Sequence, residues 1–523
     1  GTHSRDIARN AGVVASATLL SRVLGYARDM IVAFTLGAGL MADAFIAAFR
    51  VPNLLRRLFG EGSLTMAFIP VFAQIREEQG EAAAQEMARS TLLWLLLIVG
   101  CIVAAVEVFA GPMTHVIAPG FADNPEQFAL TTTLLRICFP YIAFISAVAL
   151  CMGILNARGS FLAPALAPVA LNVALIAAAL TGWLAGWNVA VCMSVGVLVG
   201  GGLQWWLQQP FLGRVGFSWR GPASLKHPGV LRVGVLLLPM VFGAAVYQVN
   251  QLLVQVLASF LPTGSVSWLY YADRLVQFPL GVFGIAVSTA ALPSLSKLAA
   301  KGSEDEFAEA LRTAMGLTLF ICLPAAAGLL ALAGPVVGLL FEHGRFDAVD
   351  AMHTARALVA YAAGLPFIAL VRPLVSAFYA RQDTRTPVLV AALAMVANIG
   401  LGLALMGPLG HVGLALAASI ASLINTGLLY FFIMRRMGIQ ALPGRSALLC
   451  VGLSAAVGAV AWLSAQQSVW GLGWLAGIPA LAVGYIAAAR GLGIGEAQLF
   501  VDVVLSGISR RIEQRRNRRK GSG

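Results

Sequence analysis

The chain has 523 residues, 59% of them hydrophobic and 11% charged, with a formal net charge of +12. Windows of about twenty apolar residues recur from end to end, which excludes an ordinary soluble domain and reads as a polytopic membrane protein. The runs are too long and too rich in Leu, Ala and Gly for barrel strands, and each span must satisfy its own backbone in lipid, so the expected fold class is all-α.

In chain order, apolar runs bounded by charges or Gly/Pro breaks place spans near 11–36, 41–70, 90–110, 130–156, 162–182, 187–207, 232–261, 266–296, 311–340, 354–380, 386–407, 411–434, 446–466 and 470–490, about fourteen in all. Arg5 and Arg9 precede the first run without a short h-region and cleavage site, so that span is expected to stay. The flanking GTHS and GSG read as expression remnants. Lys and Arg sort by loop. One side collects Arg76, Arg89, Arg158, Arg214, Arg220, Lys226, Lys297, Lys301, Arg312, Arg381, Arg385, Arg435, Arg436 and Arg445, and the other little beyond Arg136, Arg345 and Arg356. The positive-inside rule then places both termini in the cytoplasm, as an even span count requires. Trp183, Trp187, Trp268, Trp470 and Trp474 fall where spans meet outer loops, as an interfacial belt would. The basic tail RRIEQRRNRRK accounts for much of the net charge as a solvated or lipid-surface segment, and nucleic-acid binding is not implied.

The halves echo each other. FPYIAF at 139–144 resembles LPFIAL at 365–370, NARGSFLAP at 156–164 resembles YARQDTRTP at 379–387, and MADAF at 41–45 resembles YADRL at 271–275. Two six-helix lobes follow, 5–231 and 232–440, with two further spans over 441–493 and a basic cytoplasmic tail over 494–520. Six is even, so the lobes are parallel repeats, an arrangement that in transporters puts the substrate in a central cavity.

Charges remain inside spans: Arg22, Arg28, Arg50, Arg56, Arg57, Arg274 and Arg372, against Asp29, Asp43, Asp273, Glu107 and Glu61. Insertion costs roughly 2.5–3.5 kcal/mol for each central Arg or Asp, which water, pairing or a ligand must offset. At helical rise Arg22 lies roughly 16 Å and Arg28 roughly 25 Å into the first span. Asp43, Arg50 and Arg57, seven apart, share one face of the second. Arginines outnumber acids, and guanidinium forks match phosphate oxygens, so an anionic, phosphate-bearing substrate is the expected counter-ion. Asp29, Asp43 and Asp273 are expected to orient arginines. The six cysteines are scattered singly and read as small core residues, and the six histidines fall in loops or at span ends. No cofactor or metal is expected. Asn250 and Asn398 could ligate a coupling ion or bridge helices, so the ion is left open.

SRVLGYARD, ADAFIAAFRVPNLLRRLFGEG, AFIPVF, APGF, GSVSWLYYADRLVQFPLGVFGIAV, LPSLS and FYARQDTRTPV, in order between about residues 12 and 440, closely resemble the MurJ (MviN) family of bacterial lipid II flippases. That family belongs to the multidrug, oligosaccharidyl-lipid and polysaccharide exporter superfamily. The resemblance implies fourteen helices, no enzymatic step, and movement of undecaprenyl-pyrophosphate-linked peptidoglycan precursor across the bacterial inner membrane. By motif it assigns substrate contact to Arg22, Arg28, Asp43, Arg56 and Arg274, and a cavity lining to Ala33 and Ser267. Gln277 stands where some relatives carry an acid. The last two helices are implied as a groove for the lipid tail. Alternatives are export of another lipid-linked oligosaccharide or of a drug, and an intramembrane prenyl-pyrophosphate enzyme. A cationic-drug exporter should carry excess acid, and an enzyme should carry a base and an acidic metal cluster.

Overall fold

The computed structural model describes residues 2–60, 63–281, 294–442, 444–466 and 473–502. No strand occurs among them. The helices are α1 (Thr2–Leu36), α2 (Leu40–Gly60), α3 (Ser63–Gln79), α4 (Glu81–Val108), α5 (Ala110–Ile117), α6 (Pro125–Cys138), α7 (Tyr141–Ala157), α8 (Leu162–Ala185), α9 (Val189–Arg214), α10 (Pro228–Ser259), α11 (Ser265–Pro279), α12 (Glu304–Phe341), α13 (Ala348–Ala380), α14 (Arg385–Leu409), α15 (His411–Met437), α16 (Gly444–Gln466) and α17 (Gly473–Gly491). Among the described residues ten helices are long and apolar enough to cross a membrane, α2–α3 and α6–α7 each counting as one. The other four expected spans fall on α1, α10, α11 with residues 282–293, and α17; 282–293 lie outside the described residues.

Two compact units form, Gly1–Tyr270 with Leu340–Ala351, and Tyr271–Leu339 with Met352–Gly523. In the first, Phe68 and Phe72 of α3, Met87 of α4, Leu150 and Ile154 of α7 and Leu212 of α9 close one core. In the second, Phe307 and Leu311 of α12, Leu374 and Phe378 of α13 and Leu429 and Ile433 of α15 close another. The face of α4 that carries Trp94, Leu97, Ile98 and Ile102 is exposed, as a lipid-facing stripe should be.

The repeat is built into these units, with the matching arginines, acids and helix breaks 223 residues apart. In the first, Arg158 at the end of α7 pairs with Glu81 at the start of α4 and lies 5.7 Å from the Phe72 ring centroid. In the second, Arg381 pairs with Glu304 and lies 4.7 Å from the Phe307 ring. Arg89 donates to the carbonyls of Ser218 and Pro222, and Arg312 donates to that of Gln440. The helix breaks also match. Phe109 between α4 and α5 has φ −102° and ψ 27°, and Leu332 inside α12 has φ −110° and ψ 16°. Each precedes an Ala-Gly-Pro, and the rings of Pro112 and Pro335 displace the carbonyl four residues back, which breaks the ladder at that point.

After the paired arginines, Gly159 turns at φ +74° and Gln382 at φ +62°. Both repeats thus need a left-handed residue at this turn, and only the first supplies the residue that adopts it without steric cost. Next to Gln382, Asp383 closes the first turn of α14. It accepts from the amides of Arg385 (3.1 Å) and Thr386 (3.0 Å), from the Thr386 hydroxyl (2.6 Å) and from Arg436 (3.3 Å). Burial by itself pushes this carboxyl up, but the Thr386 hydroxyl, the two amides and Arg436 together hold it below the usual carboxylate range.

Two expectations change. Cys101 is exposed on α4 and is not a core residue, whereas Cys138, Cys151, Cys322 and Cys450 are buried. Trp268 does not sit in an interfacial belt: it is 8% exposed, with its indole N–H satisfied inside the protein. Trp187 is exposed, and Trp470 and the side chain of Trp474 lie outside the described residues, as do Glu61 and the tail from 503 onward.

Candidate functional site

The charges of α1 are organised around one buried carboxylate. Asp29 is 3% exposed, and its Oδ1 accepts from Arg28 Nε at 3.1 Å and Arg28 Nη2 at 2.8 Å, and from the Tyr270 hydroxyl at 3.0 Å. Arg28 turns its remaining edge toward α8, where Nη1 donates to Asn172 Oδ1 at 3.0 Å. Asn172 Nδ2 in turn donates to the Ser21 carbonyl at 3.2 Å. The guanidinium is therefore held by an acid from its own helix and an amide from another. Such charge-assisted bonds are what make a buried arginine tolerable. Arg22, two turns before Arg28, is half-buried.

Asp43 behaves differently from its expected role. It is 1% exposed and partners no arginine. Its carboxylate accepts from the amides of Gly264 (2.6 Å) and Ser267 (2.8 Å) and from the Ser267 hydroxyl. These groups open α11, whose first amides have no intrahelical acceptor and whose dipole favours an anion there. Asp350 works beside it, accepting from the Trp268 indole N–H at 3.0 Å and from the Ala38 amide at 3.3 Å. The chain just before Asp350 continues this layer. Arg345 donates its amide to the Phe34 carbonyl at 2.9 Å and lays its guanidinium 5.2 Å from the Trp183 ring. Ala33 and Ser267, expected to line a cavity, are both fully buried, and Ser267 spends its polar atoms on Asp43.

On α2 the arginines diverge. Arg50 Nε donates to Gln255 Oε1 at 2.6 Å, and Gln255 Nε2 donates to the Ile117 carbonyl at 3.2 Å, so this arginine is engaged where α5 ends. Arg56 Nε and Nη2 reach back one turn to Asn53 Oδ1 at 3.1 and 3.0 Å. Arg57 is half-buried. On the part of α11 that belongs to the second unit, Arg274 is half-buried, and Gln277 Nε2 lies 3.5 Å from Asp273 Oδ1. Arg372 of α13 is exposed. Among the described residues no three His, Cys, Asp or Glu side chains converge to hold a metal.

The second unit also holds an apolar cavity of about 600 Å³ between α12, α13, α15 and α16. Leu319, Leu323, Phe367, Leu370, Tyr430 and Val451 contribute to its wall. The hydroxyl of Thr426, which also lines it, is spent on the Phe367 carbonyl at 2.8 Å.

Sequence reasoning did not single out Asn172, Tyr270, Gln255 or Asp350. A buried Asn or Gln in an apolar span was the available signal, since such a group needs a partner. Its partner could not be named from spacing.

A family model described as "Lipid II flippase MurJ" matches residues 32–480. A probable lipid II flippase MurJ of Vibrio cholerae is 37% identical over 436 residues, covering 82% of this chain and 83% of the relative. A solved structure titled as lipid II flippase MurJ in an inward closed conformation is similar at a TM-score of 0.79 and 28% identity, over 92% of this chain and 99% of the other. The fold is also that of a multidrug resistance MATE family transporter, at a TM-score of 0.67 and 15% identity over 82% of this chain and 98% of that one.

Proposed function

The chain belongs to the MurJ family of lipid II flippases, and from that premise we propose that it carries lipid II from the inner to the outer leaflet of the bacterial inner membrane by alternating access, gripping the pyrophosphate with arginines. The observation that carries this reading is the Arg28 guanidinium, set by Asp29 and Asn172 within a helix otherwise made for lipid. Asp29 balances its charge. Arg22 on the same helix has no acid of its own sequence neighbourhood, so α1 retains net positive charge where the headgroup must pass. Arg56 and Arg274 are assigned to the same anion, with Arg50 and Arg57 as further contacts. Asp43, Ala33 and Ser267 belong to the parts that must separate for the substrate to leave outward.

The prenyl chain stays in an apolar environment throughout. The cavity between α12, α13, α15 and α16 is assigned to it, because a wall of Leu, Ala, Phe and Val offers a polyisoprene the same surroundings as lipid. No bond of the substrate changes. Both termini are cytoplasmic, so the inside-negative potential favours outward movement of an anion by about 2.3 kcal/mol per charge per 100 mV if the whole field is crossed. Dissipating the potential in reconstituted vesicles is therefore expected to slow flipping. The test of the site is lipid II translocation in vesicles with R22A, R28A and R274A made singly. Each is expected to lose most of its rate, and normal rates in all three would overturn the arginine assignment.

A further inference from the structure

We propose that Asn172 is a positioning residue for the pyrophosphate: from α8 it fixes the plane of the Arg28 guanidinium while adding no negative charge of its own. The inference rests on the arginine-site reading above. An arginine side chain has four rotatable bonds and would wander if held at one point. Asp29 holds the Nε–Nη2 edge, but Asp29 is the next residue on the same helix and cannot by itself fix Arg28 relative to anything else. Asn172 supplies the second, non-collinear point by accepting from Nη1.

Its own orientation is determined by its partners. With Nδ2 donating to the Ser21 carbonyl and Oδ1 facing Arg28, a flipped amide would oppose oxygen to oxygen and N–H to N–H. The side chain is 6% exposed, so water offers little alternative. Ser21 and Arg28 lie two turns apart on α1, and Asn172 spans them across the Gly25 face, where an added Cβ would come within 3.8 Å of Nδ2. Tyr270 completes the frame by donating to the same Asp29 oxygen.

The choice of a neutral acceptor is the chemical point. A carboxylate at 172 would also accept from Arg28 but would add a second negative charge to the Arg28–Asp29 pair. A residue that merely bridged helices would show no such preference. The N172D substitution therefore separates the two roles, because it retains an acceptor for Arg28 yet adds a negative charge that repels an anion.

The test is binding of undecaprenyl pyrophosphate to the full chain in nanodiscs, together with thermal unfolding, for wild type, R28A, N172D, N172S and the R28A/N172D pair. R28A and N172D are each expected to weaken binding roughly tenfold or more, as loss of a charge-assisted contact or gain of a like charge does, and thermal unfolding reports whether N172D remains folded. The double variant is expected to bind no worse than R28A. N172S, which withdraws both amide contacts without adding charge, reports the positioning loss if N172D does not fold. Binding by N172D and N172S within twofold of wild type while R28A is impaired would overturn the role of Asn172 alone, as would N172D weakening R28A as much as it weakens wild type. Undiminished binding by R28A would overturn the arginine-site reading and this inference with it.

Discussion

The two units share a scaffold and differ in what they enclose. Glu81–Arg158 and Glu304–Arg381, the Ala-Gly-Pro breaks after Phe109 and Leu332, and the left-handed turns at Gly159 and Gln382 occupy equivalent places. Among the described residues only the first unit surrounds a buried acid with an arginine, an amide and a tyrosine hydroxyl, and the 600 Å³ cavity of the second is walled mainly by apolar side chains. Duplication accounts for the braces and breaks, because they serve folding in either copy. The contents differ: charged and amide side chains in one, apolar side chains around a cavity in the other.

The sharpest way to break this contrast is to damage each content separately. R28A is expected to lower translocation of lipid II on the order of tenfold or more whatever the length of its prenyl chain. Gly427 lines the apolar cavity, and a side chain there starts in open space. Gly427→Phe is accordingly expected to slow the full-length lipid about tenfold, by overpacking of the cavity, and to spare an analogue with a short prenyl chain. Equal losses for both chain lengths in Gly427→Phe would remove the division of labour between the units.

Asp43 comes next. Asp43→Ala leaves two amides and a hydroxyl at the start of α11 without their acceptor, and a loss of about 2–3 kcal/mol is expected from buried donors of this kind. It is read as a lower unfolding temperature of the purified protein, with Asp43→Asn losing less because one acceptor oxygen remains. No shift in either would mean that the carboxylate does not cap α11.

The turns test whether the copies are equivalent. Gly159→Ala is expected to cost about 1 kcal/mol, and Gln382→Gly to stabilise by up to about 1 kcal/mol, since the second copy holds a non-glycine residue in a left-handed conformation. Opposite signs in thermal unfolding check both. The smallest effects belong to the Arg158–Glu81 and Arg381–Glu304 ion pairs. Glu81 and Glu304 are well exposed, at 47% and 63%, so R158A and R381A are each expected to cost only about 1 kcal/mol. Asp383 adds a pH dependence. Its carboxyl is held below the usual range in the folded chain, so the stabilisation is present above the unfolded value of about 3.9 and is lost as pH falls through the depressed folded one. Asp383→Asn should flatten unfolding-temperature profiles in that acidic window and leave them unchanged near neutrality.

Much of this organisation is legible in the chain alone. Apolar runs mark the helices because lipid leaves the backbone no other partner. The repeat shows itself in YARQDTRTP and NARGSFLAP, although the Ala-Gly-Pro at 110–112 and 333–335, which explains the matching breaks, is short enough to pass unremarked among so many alanines. Arg22, Arg28, Asp29 and Asp43 stand out as candidates because charges in a span demand a reason.

Sequence alone therefore determined the membrane class, the helices, the duplication and the identity of the buried charges, all of which follow from composition and from periods of a few residues. Tertiary structure decided what those charges do. Arg28 meets Asn172 144 residues away, Arg50 meets Gln255 across 205, and Asp29 meets Tyr270 across 241. Asp43 was moved from arginine partner to helix cap by the same means, since the amides that claim it lie on a helix more than two hundred residues on. A hydrogen bond reaches about 3 Å and is blind to separation along the chain, so only packing could choose these partners.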